Sequence, residues 1–302
     1  MLGGMTASRL AAARRRWRAV VLMLLCVAVF SLMDAGLKTL STRYPPFQVA
    51  ALRGASSLPW LLAWALWSTG LAPLLRVRWS LHLLRGALGI TMMAAFVYAL
   101  RTLPLSTAYS IFFVAPLLIT ALSVPFLGER VGPRRWTAIA IGFAGVLVVL
   151  RPTGSGMLTG AGLAVLLAAL GYAVSAITVR VLARTDSTQA MVVWLMLLMA
   201  LGAGLLAWPQ WTPLRAADAG LILGIGVAGA LGQWAITEAF RLGEASLLAP
   251  LEYTALLWGV LLDATVWGVL PDAVTWLGAG IIVASGLYLL RRERAHTEAE
   301  HP

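Results

Sequence analysis

Charged side chains inside long apolar runs are the first residues of this chain that could do chemistry. Asp34 and Lys38 stand four apart in one such run, which places them on one face of a helix. Arg53 follows across a short turn, near the start of the next run. Later come Glu252 and Tyr253, just past Pro250, and then Asp263. An ionised group at the centre of a bilayer costs roughly 2.5–3.5 kcal/mol on insertion scales, so each of these needs a partner, water or a task. The chemistry open to them is charge recognition, gating, or carriage of a coupling proton or cation. Asp34, Lys38 and Arg53 read either as a substrate or gate cluster or as a structural salt bridge reaching for the interface. Asp263 reads as a proton or cation site, as a cap on a neighbouring helix, or as a carboxylate facing water. Glu238, Arg241 and Glu244 read as a self-neutralising boundary group, whereas Glu252, the deepest, reads as functional.

Catalysis has no comparable support. No His-Glu-x-x-His run occurs, and no pair of aspartate-rich motifs is present. The three histidines, His82, His296 and His301, are scattered, and the single cysteine, Cys26, lies in an apolar run. These exclude a metal-ligand spacing and an intrachain disulfide, so the expectation is a non-enzyme with no catalytic residues, no metal and no cofactor. Aromatic residues within the runs, Tyr98, Tyr109, Trp194, Trp234 and Tyr253, either stack on a flat ring or pack the core. Trp17, Trp79, Trp136, Trp208 and Trp276 fall at run ends and fit an interfacial belt.

The elements that must position these groups follow from hydropathy. The 302 residues are 60% hydrophobic and only 12% charged, far from the balance of a water-soluble domain. Ten runs have the character of membrane-crossing helices, at about 19–40, 47–69, 82–101, 105–127, 136–150, 158–181, 189–208, 217–240, 246–268 and 273–290. Pro and Gly cluster between them, at Pro45-Pro46, Gly128 and Pro133, Pro152 and Gly154, Pro209, and Pro271. The fold class is therefore all-α integral membrane protein. Arg14-Arg15-Arg16 before the first run resembles a signal peptide, but that run is too long and carries Asp34 and Lys38. An uncleaved first span is expected. The net charge of +11 is spread over run ends rather than over a basic aromatic face, which excludes nucleic acid. With the N-terminus inside, sixteen basic residues fall on the inner side and five on the outer, which predicts both termini in the cytoplasm. Frequent Arg and Ala point to a GC-rich bacterial genome, and so to a bacterial inner membrane.

A repeat lies within the runs. Under a shift of 140, Arg101 meets Arg241, Ser106 meets Ser246, Gly128 meets Gly268, and Trp136 meets Trp276. Ile141, Leu147 and Leu150 meet Ile281, Leu287 and Leu290. The shift spans five runs, an odd number, so the second half enters the membrane from the opposite side. The segments expected are a basic N-terminus 1–18, two five-helix repeats 19–150 and 158–290, and a tail 291–302. Inverted repeats are a recurring construction of secondary transporters, with the site between the halves. A channel would show rings of repeated polar residues, and these are lacking.

The segment Phe126-Leu127-Gly128-Glu129-Arg130, followed by Trp136 and Ile141 to Leu147, resembles the fourth-to-fifth helix junction of EamA-type proteins of the drug/metabolite transporter superfamily. Gly268, Pro271-Asp272, Trp276 and the stretch Gly278 to Gly286 resemble the same junction in a second copy, with Val269 where the first copy has Glu129. The resemblance implies ten helices around a central cavity, with helices 5 and 10 peripheral, and movement of a small organic metabolite without ATP. Met33 to Lys38, Leu83-Leu84-Arg85-Gly86 and Ala249 to Tyr253 are similar to the riboflavin and S-adenosylmethionine importers of that family. Exporters of amino acids and drug-like compounds share the same motifs, so substrate and direction stay open. The partners this implies are a small metabolite, membrane lipid and a coupling proton or cation.

Overall fold

A computed structural model describes residues 2–128, 132–150, 159–242 and 251–300, and among these every regular element is helical. In chain order they are α1 (Leu2–Ser41), α2 (Pro46–Thr69), α3 (Ala72–Leu75), α4 (Trp79–Leu100), α5 (Leu105–Phe112), α6 (Ala115–Leu127), α7 (Pro133–Leu150), α8 (Gly160–Leu182), α9 (Thr188–Ala207), α10 (Ala219–Leu242), α11 (Ala255–Leu262) and α12 (Ala273–Glu300). Seven stretches are long and apolar enough to cross a bilayer. These are Trp17–Ser41, Pro46–Thr69, Trp79–Leu100, Leu105–Phe126, Gly160–Leu182, Thr188–Gln210 and Ala216–Ala239. Trp136–Val149, Ala255–Trp267 and Ala273–Tyr288 are shorter apolar helices. Glu129, Arg130, Glu244, Ser246 and Pro250 lie outside the described residues, as does the 151–158 connection.

Local sequence sets most boundaries. Pro46 opens α2, where a missing N–H costs nothing. Ser187 accepts from the Ala190 amide and Thr159 from the Gly162 amide, capping α9 and α8. Gly128 and Gly268 end their helices at φ 71° and 66°, a left-handed turn that a Cβ would strain. α5 and α6 form one span broken at Phe113-Val114, with Pro116 in the first turn of α6 where it needs no donor.

Two sets of polar contacts hold the ends of the bundle. At one end Tyr44 Oη donates to Asp218 (2.6 Å), Arg43 pairs with the same carboxylate, and Arg101 donates to the Ser41 and Tyr44 carbonyls (2.8 and 3.0 Å). At the other end Asp186 accepts from the Arg78 amide (3.0 Å) and meets His82 Nε2 (2.9 Å). Trp194 Nε1 donates to the Leu74 carbonyl there (2.7 Å). The α1–α2 turn belongs to the Tyr44 end and the α8–α9 turn to the Asp186 end.

Helix pairing gives the interior its shape. α1 packs on α10 and α4 on α8; α2 packs on α9, α5 on α11, and α7 on α12. Small residues make the closest crossings: a Cβ at Gly54 of α2 would lie 2.7 Å from the Ala200 amide of α9. The four-residue ladder Gly220, Gly224, Ala228 and Gly232 suggests one packing stripe on α10. The structure packs Gly232 closely on Phe30 of α1 but leaves Gly220 and Gly224 open, and turns Gly226 and Gly229 onto α2 and α1.

Candidate functional site

Between the helices lies a cavity of about 460 Å³, within the range of small-molecule sites. α1, α2, α4, α5, α6, α8, α9 and α10 all contribute lining residues, with Glu252 and Tyr253. α7 and α12 contribute none of those described. Its wall toward the middle of α1 is aromatic: Phe30, Phe112 and Tyr172 surround a recess that also contains Phe96 and Tyr109. Phe96 and Tyr109 stack at 6.4 Å and 13°, and Phe112 meets Tyr172 at 5.4 Å.

Charge enters this apolar space at four points, Asp34, Arg53, Arg85 and Glu252. Asp34 Oδ2 accepts from Tyr109 Oη at 2.8 Å, which fixes the carboxylate against the aromatic wall. Arg53 faces Asp34 electrostatically without an ion-pair contact; its Nε lies 3.4 Å from Met33 Sδ. Glu252 has no hydrogen-bond or ion-pair partner among the described residues. Tyr253 is buried, and its hydroxyl has no hydrogen-bond partner among the described residues.

Lys38 leaves the cluster that its spacing from Asp34 suggested. Its Nζ donates to the Leu103 carbonyl at 3.1 Å, meets Asp263 Oδ1 at 3.3 Å and sits 4.4 Å over the Trp267 ring. Asp263 is fully buried and accepts from the Leu105 amide (3.0 Å), the Ser106 amide (2.8 Å) and Ser106 Oγ (2.7 Å). It therefore caps the start of α5 from a distant helix, the arrangement that orphan amides and the positive helix end favour. Lys38 and Asp263 together tie α1, the α4–α5 turn and the π turn Asp263–Trp267 into one knot beyond Asp34, toward the Tyr44 end.

Two aromatic candidates lie elsewhere. Tyr98 is 48% exposed and Trp234 37% exposed, and neither lines the cavity. Phe96 of α4 faces the recess, and two residues turn a helix by about 200°, so Tyr98 points away. Gln233 takes the inward place beside Trp234. Arg85 is the lining residue that spacing had left as a motif letter only. It is 6% exposed, and Nη1 donates to the Met191 carbonyl at 3.1 Å. The readable signal was a guanidinium several residues inside a span with no acid within a helical turn.

No group of three or more His, Cys, Asp or Glu side chains among the described residues is arranged to hold a metal. The site's repertoire is aromatic stacking, hydrogen bonding and charge recognition. These bind and release a solute.

Known proteins carry the same pattern. The profile of the EamA-like transporter family matches residues 17–151 and again 159–291. A riboflavin transporter of Vibrio cholerae is 33% identical over 72% of this chain and 74% of its own length. An S-adenosylmethionine uptake transporter of Rickettsia prowazekii is 27% identical over 92% of this chain and 94% of its own. The pseudopaline exporter CntI of Pseudomonas aeruginosa is 27% identical over 80% and 86%. A solved structure, described only as a crystal structure of a protein, superposes with TM-score 0.64 at 21% identity over 91% of this chain and 97% of its own, a likeness of fold.

Proposed function

Because the chain belongs to the EamA-like transporter family, as a multi-pass membrane transporter of small organic metabolites and not an enzyme, we propose that its central cavity takes a flat-ringed solute and passes it by alternating access. The observation that carries this reading is the aromatic recess closed by Asp34 and Tyr109, with Arg53 facing them. Rings of Phe30, Phe96, Phe112 and Tyr172 offer stacking faces, and the polar groups fix orientation.

The framework of the proposal is ten spans in two inverted five-helix repeats, 19–150 and 158–290, flanked by a basic N-terminus and a C-terminal tail. Equivalent breaks and caps 140 residues apart support it, as do the opposite ends taken by the α1–α2 and α8–α9 turns. Both termini lie in the cytoplasm of a bacterial inner membrane, on the strength of the arginine bias. Lys38 and Asp263 act as the gate at the Tyr44 end. Asp34, Arg53, Tyr109, Glu252 and Tyr253 contact cargo, with Asp34 and Glu252 the groups that would carry a coupling proton.

Riboflavin uptake is the first reading, supported by the relatives that carry that name. Export is the second, supported by the pseudopaline exporter. The deciding experiment is riboflavin uptake into a bacterial riboflavin auxotroph that expresses the chain at verified levels. Saturable uptake above a vector control supports import of a flavin. No uptake removes riboflavin import and turns the search to efflux of amino acids and their toxic analogues.

A further inference from the structure

Four charged side chains line the cavity, and three have evident company or access. Asp34 holds Tyr109 and faces Arg53, while Glu252 is only partly buried. Arg85 differs. It is more than nine-tenths buried, yet no carboxylate among the described residues lies within ion-pair distance of it. Among the described residues a single backbone carbonyl, that of Met191, accepts from one of its nitrogens, and its buried Nε has no partner. A guanidinium carries five N–H donors in a planar fork and keeps its charge, so this arrangement leaves donors and charge uncompensated in an apolar setting. Removing a counter-charge from a buried ion is strongly unfavourable, and a structural role would ordinarily come with one. The space in front of Arg85 is the cavity itself.

We infer that Arg85 is a specificity-determining residue whose missing partner is an oxyanion of the cargo, a carboxylate or a phosphate. The inference rests on the cavity being the cargo site. Binding pairs the fork with two oxygens and places the remaining, planar part of the solute within reach of the aromatic recess. The preferred cargo is then a flat-ringed organic anion, or a zwitterion with an exposed acid group, and riboflavin, which has no acid group, ranks below its acid-bearing analogues as cargo.

The test uses full-length protein purified in detergent and matched probes differing only in the acid group. The pairs are riboflavin with riboflavin 5′-phosphate, adenosine with adenosine 5′-monophosphate, and indole-3-acetamide with indole-3-acetate. Binding is read by ligand-dependent thermal shift for wild type, Arg85→Lys and Arg85→Gln. In at least one pair the acid binds wild type about tenfold or more tightly than its neutral twin. Arg85→Lys keeps most of that ratio, and Arg85→Gln reduces it below about threefold. A role in stability alone weakens both members equally and leaves the ratio intact, which overturns the proposal. So does a wild type that prefers no acid in any pair, or binds none; these need no variant to fold. Phosphate and carboxylate pairs separate the two acid classes. An acid preference that Arg85→Gln abolishes, without uptake of either labelled member into proteoliposomes, removes the transport reading of the cavity while leaving Arg85 as the group that contacts the bound acid.

Discussion

Phe113 and Tyr253 stand 140 residues apart in the chain, and their rings meet at 5.0 Å and 81° on the cavity wall. Each sits at a two-residue interruption of its helix, Phe113-Val114 and Tyr253-Thr254, and in each case the helix resumes at an alanine, Ala115 or Ala255. Positions 140 residues apart, at matching helix interruptions, thus face one another across the cavity. An edge-to-face pair adds about 0.5–1.5 kcal/mol beyond its area.

The Tyr253 hydroxyl is buried and has no partner among the described residues, so it costs desolvation and returns no hydrogen bond with them. Tyr253→Phe is expected to leave thermal stability unchanged or raised by up to about 1 kcal/mol equivalent. If the hydroxyl serves cargo, the same variant raises the KM for transport several-fold. Unchanged stability with unchanged KM would assign Tyr253 to packing. Phe113→Ala, which removes the ring contact itself, should lower stability by about 3–5 kcal/mol.

Lys38 and Asp263 lie 225 residues apart, and their roles are unequal. Asp263 closes three hydrogen bonds at the start of α5 and faces the Lys38 charge. Asp263→Ala strips the cap and strands the cation, and should destabilise by about 3–5 kcal/mol. Lys38→Met leaves the cap intact and fills similar volume, so its cost is expected to be clearly smaller. Thermal denaturation of both single variants and the double variant in detergent checks the order. A Lys38→Met loss as large as that of Asp263→Ala would show that the ion pair, not the cap, dominates. If the knot is a gate, Lys38→Met also speeds exchange of bound cargo without changing its affinity.

Hydropathy predicts ten spans; seven described stretches are long and apolar enough to cross a bilayer, and three more are shorter apolar helices. Gly128 and Gly268 announce left-handed helix ends by residue type, and Pro133 and Ala273 start helices at the same offset. The charged site was only half legible. Spacing put Asp34 and Lys38 on one face, but a turn of helix is enough for Asp34 to reach the cavity and Lys38 to reach Asp263. Which partner a charge takes depends on a helix more than 200 residues away, and no local pattern encodes it. Tyr98 and Tyr109 look alike in sequence; rotation about the helix sends one to the surface and one to the cavity. Arg85 was visible as a lone intramembrane cation, but its want of a counter-charge is a property of the packed bundle.

Asp186 provides a pH handle outside the apolar spans. Burial by itself pushes its carboxyl up, but the Thr185 hydroxyl, the Arg78 amide and His82 outweigh that and hold it below the usual carboxylate range. A depressed value means that the ionised form stabilises the fold above the unfolded value of about 3.9. That contribution is lost as pH falls through the lower folded value. Asp186→Asn should therefore lower thermal stability at neutral pH, and the gap to wild type should close below about pH 4. A gap that stays constant into acid would mean that the amide reproduces every bond the carboxylate makes.

Glu252 and Asp34 lie on the same cavity but in different company, and that difference predicts different variants. Asp34 is held by Tyr109, so Asp34→Asn keeps an acceptor for the hydroxyl and should fold. What it removes is the charge facing Arg53. Glu252 has no hydrogen-bond or ion-pair partner among the described residues, so Glu252→Gln removes no contact and should leave membrane expression and thermal stability at the wild-type level. Both variants are expected to lower transport at least tenfold, and the dependence on a pH gradient separates their roles. A variant at a proton-carrying position retains exchange of cargo for cargo but loses accumulation driven by the gradient. A variant at a cargo-contacting position loses both. Transport at wild-type rate and wild-type pH dependence by Glu252→Gln would remove that carboxylate from the site and leave Asp34 as the acidic group of the cavity to pursue.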